Sequence, residues 1–447
     1  MNIQKDIDQL TRLLLGSVSP FHCILTSSAF LEEAGFTRLD LTSPWELKPE
    51  CGYYVPVFDS SLIAFTVGLG CVQGHPLSDA GTLPPACAAL PTLRMEAAHT
   101  DWPCLKLKPS PEVFTGRYGK LNVEVYGGPI LSTWLDRPLS LAGKVCTAGK
   151  HPFSPNTHMI DLKRPIAVIP NLAIHMNRDV NNGVALNPQK DMLPMITILG
   201  EHSDKERILL NLLAKEAGCE PEEILDYDIC LYNLDSCTSL GLEGEFFTAP
   251  RIDNLTSVQA CLSGITSGFR KNGVNLIALY DNEEVGSRSK QGAFSAVTDR
   301  ILEKIYLSLG YSRENYLNAV LNGFLLSMDV AHAMHPNHTE KCDIKNQILP
   351  GDGIAIKMAA AQSYATDASC ISVIEDICRR SHIPYKKFSN RSDIKGGATL
   401  GAISSALLSM KTVDIGVPIL AMHSARETMG AKDQSALVAL ASEFFLV

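Results

Sequence analysis

One stretch of the sequence constrains the fold more than any other, an apolar run that ends abruptly in acids and amides. Residues 274–280 have the length and apolar character of a buried β-strand. Asp281, Asn282, Glu283 and Glu284 follow at once. Chemistry in α/β folds collects at the carboxyl ends of strands. Two adjacent glutamates point in different directions, so one can bind a metal while the other holds a water. By itself such a pair is more often a solvated acidic turn, and the rest of the chain has to decide.

The segments on both sides of this stretch predict an α/β domain with an insertion. Strand patterns occur at residues 62–67, 93–98, 324–328 and 413–415. Helical patterns occur at residues 4–15, 25–34, 256–270, 294–309, 359–379 and from 428 onward. Residues 68–92 are rich in glycine, proline and small residues, which predicts a long loop. Residues 1–103 plus 241–447 are therefore expected to form one domain, a mixed sheet flanked by helices.

The middle of the chain has a different pattern of predicted secondary structure. Between residues 104 and 240 most segments are short β-like runs, with one helical pattern near residues 206–217. The predicted strands there are 121–126, 130–135, 144–147 and 165–169. Inserting a domain is easy where the ends of a loop lie close together. Residues 104–240 are therefore expected to form an inserted β-rich domain.

Composition narrows the environment and the partners. The net charge of −9 argues against nucleic acid and anionic membrane surfaces as partners. The thirteen cysteines are odd in number and include no C-x-x-C pair, which is typical of a reduced cytoplasmic protein. The first residues lack an apolar signal core, and no run of about 18 apolar residues predicts a membrane span.

Several acidic or histidine residues follow strand-like runs in the α/β part. They are His99, Asp253, Glu283, Glu284, Asp329 and His423. Carboxylate and imidazole ligands suit zinc, cobalt or manganese. One metal needs about three protein ligands and an open position, so this set exceeds one site. A two-metal site with a bridging carboxylate would use them all.

A further group of histidines follows Asp329, namely His332, His335 and His338. These residues could form another metal patch, but the carboxylate set already accounts for two metal ions. We therefore interpret the group as a polar rim of the site or as a solvated loop.

The motifs around the candidate ligands resemble the aspartyl aminopeptidase family of two-metal peptidases, nearly from end to end. The matching segments are Ser19-Pro20-Phe21-His22, Ala98-His99-Thr100-Asp101, Tyr126-Gly127-Gly128, Pro250-Arg251-Ile252-Asp253-Asn254, Asp281-Asn282-Glu283-Glu284, Asp329-Val330-Ala331-His332 and Ala421-Met422-His423-Ser424-Ala425-Arg426-Glu427. The resemblance implies a di-metal exopeptidase-like catalytic domain, and an inserted domain that serves in dimerisation.

The resemblance also implies roles for individual residues. Asp253 would bridge two divalent metal ions, with zinc favoured over cobalt or manganese. His99 and Asp329 would complete one site, and Glu284 and His423 the other. Glu283 would be the general base. Asp101 would orient His99 through its other ring nitrogen.

Two further roles follow from the same resemblance. His175 matches a histidine that reaches the active site of a neighbouring subunit, within dimers that assemble to a dodecamer. Lys357 matches a lysine that favours an acidic first side chain, which an ammonium group in a partly desolvated pocket can bind. The implied activity is removal of N-terminal Asp or Glu from peptides with a free N-terminus. The alternatives are an aminopeptidase of broad or neutral specificity and a non-catalytic assembly protein.

Overall fold

The computed structural model describes residues 1–71, 90–200, 207–394 and 396–447. Most of the predicted 68–92 loop, and residue 206 at the start of a predicted helix, lie outside these ranges. Within them the helices are α1 (Ile3–Gly16), α2 (Pro20–Glu33), α3 (Pro188–Asp191), α4 (Ile208–Ala217), α5 (Ile252–Ile265), α6 (Val297–Ser308), α7 (Arg313–Leu321), α8 (Ala368–Arg380), α9 (Leu400–Leu408) and α10 (Ala431–Leu446). No helix in these ranges combines the length and apolar character needed to cross a bilayer.

The strands of the same ranges form three sheets. In chain order they are β1 (Thr37–Arg38), β2 (Cys51–Val57), β3 (Ser61–Val67), β4 (Thr92–His99), β5 (Cys104–Thr115), β6 (Tyr118–Tyr126), β7 (Leu139–His151), β8 (Ser154–Asp161), β9 (Met195–Ile198), β10 (Ile224–Asn233), β11 (Thr238–Leu240), β12 (Phe246–Ala249), β13 (Gly273–Tyr280), β14 (Phe324–Met328), β15 (Ala331–His332), β16 (Ile354–Met358), β17 (Tyr385–Ser389), β18 (Lys411–Gly416), β19 (Pro418–Leu420) and β20 (Glu427–Gly430).

The central sheet is mixed, as expected. Its nine strands run in the order β1-β2-β3-β13-β4-β14-β18-β16-β17. The four middle strands, β13, β4, β14 and β18, are mutually parallel. Their carboxyl ends therefore meet at one edge, where side chains from distant parts of the sequence come together.

Strand β13 shows why this sheet is covered on both faces. All eight of its residues are buried. Ile277 and Leu279 join the apolar cluster that includes helices α1, α5 and α10. Leu276 and Ala278 face the opposite way, into a cluster that includes α6 and α7. An apolar strand buried on both sides is typical of parallel sheets between helix layers.

The second sheet is antiparallel and comes from one stretch of sequence. Its order is β8-β7-β10-β5-β6-β9, and all of its strands lie between Cys104 and Asn233. The third sheet, in the order β11-β12-β20-β19-β15, joins strands from residues 238–249 to strands from residues 331–332 and 418–430.

Some predicted elements differ from the structure. Helix α2 begins at Pro20 rather than residue 25, because Ser19 caps it and proline suits the first helical position. Helix α8 begins at Ala368 rather than at residue 359. The Asp367 side chain caps this start by accepting hydrogen bonds from two backbone N–H groups. Residues 130–135 hold a 3₁₀ turn, not a strand. Residues 165–169 form only isolated bridges.

Candidate metal centre

The parallel strands deliver three of the predicted site elements to one edge. His99 is the last residue of β4, and Asp329 directly follows β14. Glu283 and Glu284 lie in a 3₁₀ turn just after β13, which Asn282 begins in a left-handed conformation with φ of 64°. Because β13, β4 and β14 are neighbours in register, these side chains lie close together.

The other two candidates reach the same place by different routes. Asp253 lies at the start of α5, and its backbone N–H donates to the Glu427 carboxylate over 2.9 Å. His423 follows β19 in a left-handed conformation with φ of 65°. Its backbone N–H donates to the other Glu427 oxygen over 2.8 Å. Glu427 thus ties Asp253 to His423.

The side-chain atoms form two groups that share Asp253. His99 Nε2 lies 3.4 Å from Asp253 Oδ1 and 3.5 Å from Asp329 Oδ1. His423 Nε2 lies 3.4 Å from Asp253 Oδ2 and 3.5 Å from Glu284 Oε2. In each group of three, the ligand atoms lie within 4.8 Å of one another.

These groups fit a divalent metal. Ligands about 2.1 Å from a tetrahedral ion lie about 3.4 Å apart, which matches the measured spacings. Asp253 Oδ1 and Glu284 Oε1 are buried, and neither has a hydrogen-bond partner in the structure. A buried polar atom of this kind needs a partner, which a cation would supply. The nitrogen and oxygen donor set suits zinc.

Each histidine is oriented through its second ring nitrogen. His99 Nδ1 lies 3.0 Å from the Asp101 carbonyl and 3.4 Å from the Asp101 carboxylate. His423 Nδ1 lies 3.1 Å from the Gly128 carbonyl. Such bonds fix the tautomer so that Nε2 faces the metal position. The predicted role of Asp101 therefore has a geometric basis.

The charges of the centre depend strongly on one another. Burial lowers the pKa of His99, but the carboxylates of Asp101, Asp253 and Asp329 outweigh it and hold that pKa well above its usual range. Burial also lowers the pKa of His423, but Asp253 and Glu284 outweigh burial and raise that pKa to about 10. A cation would displace these protons, because metal ligands must be deprotonated.

Glu283 stands apart from both ligand groups. It lines the cavity that holds them. Burial raises the pKa of Glu283 to about 8; His99 opposes this rise, and Asp329 adds to it. In the centre without bound cations, Glu283 therefore holds its proton more firmly than an ordinary glutamate does.

The cavity in front of the centre has a volume of about 560 Å³. Its wall includes Lys357, which lies within β16 and is 2% exposed. Lys357 Nζ lies 3.5 Å from Asp329 Oδ2, so the structure connects this predicted specificity residue to a candidate ligand.

The three histidines after Asp329 do not stay together. His332 is exposed and lines the cavity, a position that fits a polar rim. His335 and His338 are exposed outside the described lining, with ring centroids 5.1 Å apart. None of the three belongs to a candidate metal group of the described residues.

His175 is the predicted site residue that the structure does not bring to this centre. It lies in an exposed 3₁₀ turn, Ile174–Met176, and is absent from the described lining of the cavity. Within this one chain, His175 therefore has no place beside the candidate ligands.

Sequence reasoning gave no role to two residues that organise the centre. Glu427 accepts the backbone N–H groups of Asp253 and His423. The Tyr126 hydroxyl donates to Asp101 over 2.6 Å. Both residues lie within segments that carry the family resemblance, and that was the only sequence signal for them.

Comparison with known proteins identifies the family. The family model described as "Aminopeptidase I zinc metalloprotease (M18)" matches residues 13–445. A relative from Clostridium acetobutylicum, named "Probable M18 family aminopeptidase 2", is 43% identical over 438 residues, which covers 98% of each chain. A relative of the same name from Clostridium novyi is 40% identical and covers 99% of this chain and 98% of its own.

Solved structures share the fold. The chain described in "Cryo-EM structure of the Ape4 and Nbr1 complex" has a TM-score of 0.91 at 30% identity, over 99% of this chain and 86% of that one. An M18 aminopeptidase from Thermotoga maritima has a TM-score of 0.83 at 17% identity, over 99% of this chain and 96% of that one. The second likeness shows the α/β fold alone. The chain belongs to the M18 family of zinc aminopeptidases.

Proposed function

We propose that the two ligand groups hold two zinc ions, bridged by Asp253. The observation that carries this proposal is that Asp253 presents one oxygen to each histidine. When bound, two such cations lower the pKa of a water molecule and polarise the carbonyl of the scissile peptide bond. His99 and Asp329 hold one ion, and Glu284 and His423 hold the other.

In this proposal Glu283 is the general base. It takes a proton from the attacking water and delivers it to the leaving amine. Its position supports the role, because it lines the cavity without belonging to either ligand group. The Glu283 backbone N–H donates to Asp101 Oδ1 over 3.1 Å, which holds the turn in place. The presence of the base and of every candidate ligand argues against the non-catalytic alternative.

We also propose a preference for N-terminal Asp or Glu. Among the described residues that line the cavity, Lys357 is the only lysine or arginine, and its ammonium group can bind an acidic side chain. The alternative is broad or neutral specificity. The contact between Lys357 and Asp329 favours that alternative, because it already balances part of the Lys357 charge.

A third part of the proposal concerns assembly. Residues 104–240 serve as an oligomerisation domain, and His175 enters the active site of a neighbouring chain. Leu172, Ile174 and Met176 are exposed around His175, which suits an apolar contact. A structurally similar protein is described in "Structure of S. cerevesiae mApe1 dodecamer". Dimers that assemble to a dodecamer are the corresponding expectation for this chain.

The decisive experiment is peptide hydrolysis with defined metals. Asp-, Glu- and Leu-linked chromogenic amides are assayed before and after chelation, and after zinc, manganese or cobalt is restored. Glu283→Gln is expected to lose about 10²–10⁴-fold in kcat, while zinc content stays near that of the wild type. Hydrolysis that resists chelation, or an active Glu283→Gln variant, would contradict the proposed mechanism.

Specificity and assembly need separate tests. Lys357→Met should lower the preference for Asp over Leu at least about tenfold, because a hydrogen bond to a charged group contributes about 1.5–3 kcal/mol. Lys386→Met is the matched control, since Lys386 lies on the adjacent strand β17 and pairs with Asp352 instead. For assembly, inactive His175→Ala and Glu283→Gln chains are mixed under exchange conditions. If no activity returns, the shared site is wrong.

A further inference from the structure

The segment Tyr126-Gly127-Gly128 lies at the end of β6, in the second sheet, yet it contacts the metal centre. We propose that this segment and the following Thr133 position both histidine ligands, so that the second sheet sets the geometry of a centre whose ligands all lie outside it. The proposal rests on the metal roles proposed above. Tyr126 and Thr133 act as positioning residues and do not touch the substrate.

Tyr126 acts on the His99 side through Asp101. The Tyr126 hydroxyl donates to Asp101 Oδ2 over 2.6 Å and accepts from Asn282 Nδ2 over 3.0 Å. The same Asp101 carboxylate accepts from the backbone N–H groups of Glu283 and Glu284, each over 3.1 Å. One hydroxyl therefore fixes the carboxylate that orients His99 and anchors the turn carrying both glutamates.

The two glycines act on the opposite side of the centre. The Gly128 carbonyl accepts from His423 Nδ1 over 3.1 Å, which directs His423 Nε2 toward Asp253 and Glu284. Gly127 has φ of 71°, and a Cβ atom there would lie 3.2 Å from Glu284 Cβ. Glycine suits both the positive φ of this position and its close approach to Glu284.

Two further bonds hold the loop that carries His423. The backbone N–H of Ile130 donates to the His423 carbonyl over 3.0 Å. The backbone N–H of Ala425 donates to the Thr133 hydroxyl over 2.9 Å. This loop is thus bonded, at His423 and just beyond it, to the segment that follows β6. Hydrogen-bond partners of a ligating histidine, such as Asp101 and the Gly128 carbonyl here, typically change metal affinity 10–100-fold when removed.

The first test removes a single hydroxyl. Tyr126→Phe keeps the ring, which also packs under Lys106, and loses only the bonds to Asp101 and Asn282. We expect zinc affinity, measured by competition with a chromogenic chelator, to fall about 10–100-fold. We expect kcat to fall and KM to change little. Tyr118→Phe is the control, because Tyr118 lies on the same strand and is 50% exposed.

The second test addresses the His423 side. Thr133→Val keeps the shape of the side chain and removes the acceptor for Ala425, whereas Thr133→Ser keeps it. Zinc affinity should fall in the valine variant and return to the wild-type value in the serine variant. Thermal unfolding of the metal-free proteins separates positioning from folding. If Tyr126→Phe and Thr133→Val bind zinc as tightly as the wild type, the proposal is overturned.

The outcomes also distinguish this proposal from the proposed function. A wild-type protein that binds zinc but hydrolyses no peptide would contradict the function, while a weakened affinity in Tyr126→Phe would still support positioning. Normal hydrolysis together with unchanged affinity in both variants would contradict positioning alone. If metal-free Tyr126→Phe unfolds at a clearly lower temperature than the wild type, its weaker zinc binding could come from misfolding. The comparison of Thr133→Val with Thr133→Ser then tests the positioning proposal.

Discussion

The two halves of the candidate metal centre are built differently, although Asp253 belongs to both. The His99 side chain is 2% exposed, and its second nitrogen lies 3.0 Å from the Asp101 backbone carbonyl and 3.4 Å from the Asp101 carboxylate. The His423 side chain is 32% exposed, and its second nitrogen faces a backbone carbonyl. One half therefore combines burial with a charged partner, and the other combines partial exposure with a neutral one.

This difference follows from the elements that carry the histidines. His99 ends a central strand that has neighbours on both sides, whereas His423 lies in a loop beyond a short strand. A carboxylate partner raises the basicity of a ligating imidazole more than a neutral carbonyl does. We therefore expect the His99 half to bind zinc more tightly and to release it more slowly.

The largest effect is expected where the halves meet. Asp253→Asn weakens both groups at once, so kcat should fall by roughly 10³-fold or more, because cation catalysis contributes several kcal/mol. Zinc analysis should show a clear loss of bound metal relative to the wild type. Asp8→Asn, on the exposed surface of α1, is the control and should behave as the wild type. Full retention of zinc in Asp253→Asn would contradict the idea that this residue joins the halves.

A smaller effect should separate the halves. Asp101→Asn removes the charge behind His99 and leaves the Gly128 carbonyl behind His423 in place. Affinity at the His99 half should fall about 10–100-fold, while the other half keeps its affinity. Titration with a competing chelator measures the zinc affinity of each half. An equal loss at both positions would mean that Asp101 supports the whole centre through the glutamate turn.

Kinetics of metal removal provide a third comparison. In excess chelator the wild-type protein should lose zinc in two phases, with rates that differ about tenfold for each 1.4 kcal/mol of difference in barrier. The His423 half, whose histidine is partly exposed, should lose its zinc first. In Asp101→Asn the slow phase should accelerate and approach the fast one. A single phase in the wild type would contradict the asymmetry.

The smallest effect concerns the strand that carries His99. Glu96 on β4 is fully buried, and neither of its oxygens has a hydrogen-bond partner in the structure. Burial raises the pKa of Glu96 well above its usual value. The folded state therefore holds this proton more firmly than the unfolded chain. The associated stability is complete below the unfolded pKa and is lost as pH rises through the folded pKa.

Glu96→Met should accordingly stabilise the metal-free protein at pH 8, by about 1–3 kcal/mol. The gain should be smaller at pH 5, where the native carboxyl group is protonated. Urea unfolding at the two pH values measures both, and Glu124→Met, at an exposed position on β6, is the control. A gain that does not depend on pH would show that packing, rather than charge, sets the difference.

Sequence patterns predicted the elements that depend on local periodicity. Strand β14 has the predicted bounds, β13 begins one residue earlier than predicted, and β4 extends one residue further at each end. The start of α8 was wrong because small apolar residues from Ala359 onward resemble a helix, although Gln362 has φ of 57° and Asp367 supplies the cap. The third sheet was not predicted, because its strands pair over long distances in the sequence.

The site shows the same division. Strand ends predicted that His99, Glu284 and Asp329 would converge, because parallel strands end at one edge. The burial of Lys357 beside Asp329 depends on how β16 packs, and no local pattern encodes it. The hydrogen bonds that Gly128 and Thr133 make to the His423 loop depend on how the second sheet packs against the rest of the chain. No local sequence pattern predicts that packing.

The position of the second sheet in the chain has an evolutionary consequence. Leu105 near its start pairs with Leu231 near its end, so the chain enters and leaves this sheet at neighbouring points. In genetic terms the sheet resembles a removable insert, because all five candidate ligands lie outside it in the sequence. Its excision would discard the Tyr126 hydroxyl and the Gly128 carbonyl. Selection on catalysis would then act on a sheet that contributes no candidate ligand of its own.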